Sequence, residues 1–145
     1  MELLPNQSFN LDGAKKRAAR LTQTFDDKLS IDKHTAMPYN TPMIFIETTL
    51  FTKLLPKYLT DDEYRVFQWY LLLNPEAGDL VRGSGGVRKV RWAPEGKGKR
   101  GGIRIMYFWK KSDNEIWLLT LYSKSEKATI PSHILKKIAE EIKNE

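Results

Sequence analysis

Lys89, Arg91, Arg104 and Tyr122 are the residues of this sequence best placed to do chemistry. Strand side chains alternate, so in "GGVRKVRWA" Lys89 and Arg91 point to one face while Val90 and Trp92 point to the other. In "GIRIMYFW" Arg104 lies opposite Ile103 and Ile105. In "IWLLTLYS" the large apolar set is Trp117, Leu119 and Leu121; Tyr122 falls opposite it, and Lys124 follows. If the apolar sets are core, three cations and a phenol converge on one open sheet face. Lys97, Lys99 and Arg100, on the loop from Gly96 to Gly102, overhang that face. Uncompensated cations on one face repel each other, and a polyanion removes that cost. The expected ligand is therefore a phosphate backbone.

The charge distribution supports this expectation. From Arg82 to Lys111 there are ten basic residues opposed only by Glu95, an excess larger than the net charge of +6 for the whole chain. A neutral solvated strand face would intersperse carboxylates. The glycine-rich loop lacks the G-x-x-x-x-G-K-[ST] pattern and the following helix of a nucleotide-binding P-loop. The chain has no cysteine and only two histidines, His34 and His133, which argues against a zinc site. No apolar run approaches the roughly 20 residues of a membrane span, and "MELLPNQSFN" lacks the features of a signal peptide. The expectation is a cytoplasmic protein with no membrane partner, no metal and no cofactor.

These side chains need elements to hold them, and 145 residues suffice for one domain with a modest core. Residues 1–42 read as an extension: a weak helix over about 13–28, with Ala14, Ala18, Leu21 and Phe25 on a narrow stripe, then a linker. Met43 opens the compact part and is a candidate native start. From 43 to 145 the pattern is strand, helix, helix, three-strand meander, helix. "MIFIETTL" runs from strand into a helix that Pro56 should interrupt. "TDDEYRVFQWYLLLNP" is a helix with a Thr60–Glu63 capping box. Tyr64, Phe67 and Leu71 together with Val66, Tyr70 and Leu73 give it a wide apolar face. "KKSDNE" is a hairpin turn, and "TIPSHILKKIAEEIKNE" a closing amphipathic helix striped by Ile134, Ile138 and Ile142. The expected fold class is α+β: a small antiparallel sheet with helices packed on one face.

The blocks "LNPEAGDLVRGSGGVRKVRWAPEGKGKRGGIRIMYFW" and "IWLLTLYSKSEKATIP" resemble the RelE/ParE toxin superfamily, and within it the HigB-like toxins, over about residues 43–142. The resemblance implies a compact RelE-like fold and the toxin component of a bacterial type II toxin–antitoxin system. It implies a metal-independent endoribonuclease that cuts mRNA on the ribosome. It also implies a cognate HigA-like antitoxin carrying a helix-turn-helix domain. The family's catalytic positions fall on Lys89, Arg91 and Arg104, with Lys124 as the basic position after the last strand. Tyr122, with Tyr107 as alternative, matches the family's aromatic position. Arg88, Lys97, Lys99, Arg100 and Tyr107 are then expected to hold RNA or ribosome. Two other readings use the same residues: a non-catalytic basic RNA- or DNA-binding module, and a ParE-like toxin directed at DNA gyrase. The full basic set favours the nuclease.

Such a nuclease works by attack of a ribose 2′-hydroxyl on the adjacent phosphate. Arg91 and Arg104 suit the phosphate oxygens, each presenting a planar fork. His34 lies in the linker and His133 reads as helix surface, so the base falls to Lys89 or Tyr122. Their ordinary pKa values, about 10.4 and 10, are high for that role. Neighbouring cations are expected to lower both.

Overall fold

A computed structural model describes residues 43–94, 102–126 and 130–145, together with the backbone of 15–18. The compact part opens with β2 (Ile44–Glu47). Thr48 then turns the chain into α1 (Thr49–Tyr58), its hydroxyl accepting from Phe51 N at 3.1 Å. The same hydroxyl donates to the Leu119 carbonyl at 2.8 Å, tying the helix start to the sheet. Contrary to the sequence expectation, α1 runs through Pro56 to Tyr58. The proline sits on the exposed side of the last turn, where only one intrahelical bond is lost.

The second helix, α2 (Asp61–Leu73), begins with the expected capping box: Glu63 N donates to Thr60 Oγ1, and Thr60 N donates to Glu63 Oε1. Its buried face is narrower than expected. Tyr64, Phe67, Gln68, Trp69, Leu71 and Leu72 are buried, whereas Val66, Tyr70 and Leu73 remain 52%, 37% and 48% exposed. The two apolar sets point in different directions around the helix: the first packs into the sheet core, and of the second Tyr70 touches the sheet at the Trp92 ring.

The remaining strands are the two-residue β3 (Asp79–Leu80), β4 (Arg88–Trp92), β5 (Ile103–Lys110) and β6 (Glu115–Ser123). A 3-10 turn, Lys111–Asp113, and Asn114 at φ 54° join β5 to β6. The chain closes with α3 (Ser132–Lys143), for which Pro131 is the N-cap. A further strand, β1 (Lys15–Ala18), pairs antiparallel with β2. A helix was the sequence expectation there; pairing with β2 supplies backbone bonds that a narrow alanine stripe cannot secure alone. The rest of that expected helix, and the linker after it, lie outside the described residues.

The sheet order is β1-β2-β6-β5-β4-β3. It is mixed, because β2 runs parallel to β6 while the other pairs are antiparallel. Helices also cover both faces rather than one. On one side, residues of α1 and α2 pack with Phe45, Val90, Ile103, Ile105, Tyr107, Ile116, Leu118 and Leu121. On the other, Leu135, Ile138, Ala139 and Ile142 of α3 pack with Ile46, Val87, Met106, Phe108, Trp117 and Leu119. The near-continuous apolar runs of β5 and β6 require this, since a sheet apolar on both faces must be covered on both. The fold class is α+β.

One irregularity decides where β6 aims its side chains. Thr120 pairs with Met106 and Leu118 with Tyr107, so Leu119 is an extra residue in the ladder. Such a bulge resets the alternation. Trp117 and Leu119 face the α3 core, while Leu121 faces the opposite core with Ile116 and Leu118. The expectation that Trp117, Leu119 and Leu121 share a face is thereby corrected. The bulge is held by β2 and α1, through Thr48 N on the Leu118 carbonyl at 3.1 Å and Thr48 Oγ1 on the Leu119 carbonyl.

Candidate functional site

Val90 is buried in the α1–α2 core, which sends its neighbours Lys89 and Arg91 to the opposite face, both exposed. Ile103 and Ile105 lie in that same core, so Arg104 joins the Lys89 and Arg91 side, half-buried. The register then aligns a row across three strands: Arg91 pairs with Arg104, and Arg104 pairs with Tyr122. Directly opposed side chains on neighbouring strands lie about 4.5–5.5 Å apart at Cβ. Tyr122 reaches this face only because of the bulge at Leu119. It packs, half-buried, against the edge of the α3 core. The helix α3 packs on this face with Val87, Phe108 and Trp117.

The electrostatics of the row are one-sided. Among the described residues, Lys89, Arg91 and Arg104 make no ion pair with a carboxylate. The acidic residue nearest in register is Asp79, which pairs with Lys89 between β3 and β4. Burial pushes the Tyr122 phenol above its ordinary value, outweighing the pull of Arg104 in the other direction. This reverses the sequence expectation of a lowered tyrosine. A half-buried phenol loses more by ionising in a desolvated site than it gains from one neighbouring cation. Tyr122 is thus a proton-bearing phenol at neutral pH, suited to donate rather than accept.

Lys124 follows β6 in an exposed turn, with its N–H 3.4 Å from the Gly102 carbonyl. That turn is pinned by a network that sequence reasoning missed. Glu126 Oε1 accepts from Ser123 Oγ at 2.6 Å, from Ser123 N at 3.2 Å and from Tyr58 Oη at 2.7 Å. These hydrogen bonds hold the Glu126 carboxyl below its usual range. Burial and then Glu126 push Tyr58 up to about 12. No periodic signal marks these residues, because Tyr58 and Glu126 are 68 positions apart.

Two expected contact residues do other work. Tyr107 is fully buried on the α1–α2 side, donating to the Pro75 carbonyl at 2.8 Å and accepting from Gly78 N at 3.0 Å. Arg88 stands opposite Tyr107 in register, one residue out of phase with Lys89. Its Nη1 donates to the Glu76 and Gly78 carbonyls at 3.2 and 2.7 Å. Both residues brace the 75–78 loop instead of facing a ligand with Arg91. The chain runs close here: a Cβ at Gly78 would lie 3.0 Å from the Lys89 backbone and 3.1 Å from the Tyr107 ring. Lys97, Lys99 and Arg100 lie outside the described residues. His133 is exposed on α3.

Among the described residues no group of three or more His, Cys, Asp or Glu side chains is arranged to hold a metal ion. Among them, too, no helix is long and apolar enough to cross a membrane. A scan of known protein families returned no model that matches the chain.

Proposed function

We propose that this chain is the toxin of a bacterial toxin–antitoxin pair, a metal-independent endoribonuclease acting on ribosome-bound mRNA. The observation that carries the reading is the Arg91–Arg104–Tyr122 row, two guanidinium groups with no carboxylate partner among the described residues and a protonated phenol, aligned across three strands. The resemblance to HigB-like toxins supplies the reaction.

In that reaction the 2′-oxygen forms a bond to the adjacent phosphorus, and the bond from phosphorus to the 5′-oxygen breaks. The products are a 2′,3′-cyclic phosphate and a 5′-hydroxyl. Arg91 and Arg104 hold the phosphate and stabilise the charge that builds on its oxygens. Their positions are fixed by the ladder before substrate arrives, which is where most of the acceleration comes from. Tyr122 gives its proton to the departing 5′-oxygen. The 2′-hydroxyl proton passes to Lys89 in its neutral amine form, since the ammonium form has no lone pair to accept it. Lys124, set by the Glu126 turn, adds positive charge at the rim. A helix-turn-helix antitoxin encoded beside the toxin is the partner this reading carries.

The test is incubation of the purified chain with translating ribosomes in a cell extract, followed by analysis of the mRNA ends. The reading predicts cuts that leave 2′,3′-cyclic phosphate and 5′-hydroxyl ends. RNA protected but never cut would make the face a binding module instead.

A further inference from the structure

On the opposite face from Arg91, at the far end of β5, an open cleft of about 480 Å³ lies between Tyr70 and Trp109, with Glu76 at its rim. Its floor is rigid, because Tyr107 and Arg88 together occupy the backbone groups of Pro75, Glu76 and Gly78. The wall at Tyr70 is fixed by packing of its ring on Trp92, with centroids 5.1 Å apart. The C-terminus of α2 ends here, with no basic residue in its last turn to offset the helix dipole. An aromatic wall, a carboxylate and a helix C-terminus all favour a cation.

The chain shows that a cation fits. Lys111 places Nζ 5.0 Å from the centroid of the Trp109 ring and 3.1 Å from Glu76 Oε1. Both members of this ion pair are more than half exposed, so the contact is weak and displaceable. Beside the cleft, Val66, Tyr70 and Leu73 form an exposed apolar stripe at helical spacing. On its own helix the stripe is flanked by Asp61, Asp62 and Glu63 against Arg65, and Glu76 lines the adjoining cleft. The surface is apolar and acidic, the complement of the basic face behind it.

We propose that this cleft receives an arginine of a partner protein, presented on a helical segment whose apolar side chains cover Val66, Tyr70 and Leu73, with Lys111 as the internal stand-in that it displaces. Arginine fits better than lysine because its planar fork stacks on indole while pairing a carboxylate. The proposal does not depend on ribonuclease activity, since the cleft and the Arg91–Arg104–Tyr122 row are on opposite faces of the sheet.

The test follows the Trp109 indole resonance of the full chain by nitrogen-edited NMR. The probes are acetyl-arginine-amide, its neutral isostere acetyl-citrulline-amide, and an amidated helical peptide carrying one arginine flanked by leucines. The arginine probes should give a saturable shift, about tenfold weaker or absent with citrulline and lost in Glu76→Gln. Lys111→Ser should tighten acetyl-arginine-amide by about twofold to fivefold, because the internal competitor is gone. The double variant Val66→Ser, Leu73→Ser should weaken the peptide and leave acetyl-arginine-amide unchanged. Equal shifts from arginine and citrulline, no saturable shift in Lys111→Ser, or a peptide insensitive to the double variant would each overturn the proposal.

Discussion

Arg91 and Arg104 face each other across the β4–β5 ladder, and among the described residues neither pairs with a carboxylate. Like charges directly opposed on neighbouring strands destabilise a sheet. The fold therefore carries this pair at a cost that a bound phosphate would remove. Arg104→Gln should stabilise the free protein by about 0.2–1 kcal/mol. Urea denaturation at low ionic strength measures this, and the gain should shrink as added salt screens the pair.

In the proposed nuclease, the protonation of Tyr122 decides between a role as acid and a role as base. Its folded pKa is raised by burial against the smaller effect of Arg104, so the neutral phenol is the favoured form. The associated stability is fully present below the ordinary value of about 10 and is lost as pH rises through the raised one. A difference titration of wild type and Tyr122→Phe at the phenolate absorbance band should show a group ionising above pH 10. Cleavage by wild type should show no activating phenolate near neutrality. Tyr122→Phe should slow cleavage by about a hundredfold or more, the usual loss for a general acid.

The Tyr58–Glu126–Ser123 network should respond to pH at both ends. Glu126 is lowered, mainly by Ser123 and Tyr58 hydrogen bonds, so its contribution is present above the ordinary carboxylate value and lost as pH falls through the lowered one. Tyr58 is raised to about 12, so its contribution is lost as pH climbs from about 10 toward that value. Thermal melts of wild type and Glu126→Gln should differ at neutral pH and converge in acid. The difference should be small, because the carboxylate is exposed.

Tyr107→Phe offers a contrast. It leaves the buried Gly78 N–H and the Pro75 carbonyl without their partner, at a cost of about 1–3 kcal/mol. Denaturation should show that loss. Cleavage by the folded fraction should stay near wild type, since the phenol faces the core and not the Arg91 side.

The sequence showed the elements of the compact part well where their signals are local. The Thr60–Glu63 box, the alternation around Val90 and Ile103, and the Asp113–Asn114 turn all depend on neighbours within a few residues. What it did not show depends on long-range pairing. The parallel partnership of β2 with β6, and cover on the second face by α3, follow from how distant segments meet. Tyr122 was placed beside Arg104, but by an argument that assumed unbroken alternation; the extra residue at Leu119 is what puts it there. Arg88 and Tyr107 carry the same residue types as the row, so type alone could not exclude them. One step of strand parity sends them to the other face.

The most direct measurement is the single-turnover rate at which folded Arg104→Gln cuts ribosome-bound mRNA, with Lys111→Gln as a charge-matched control on the opposite face. If the row is the phosphate site, Arg104→Gln should lose about a hundredfold or more in rate, while Lys111→Gln cuts like wild type. Wild-type cleavage by a folded Arg104→Gln variant would contradict the assignment.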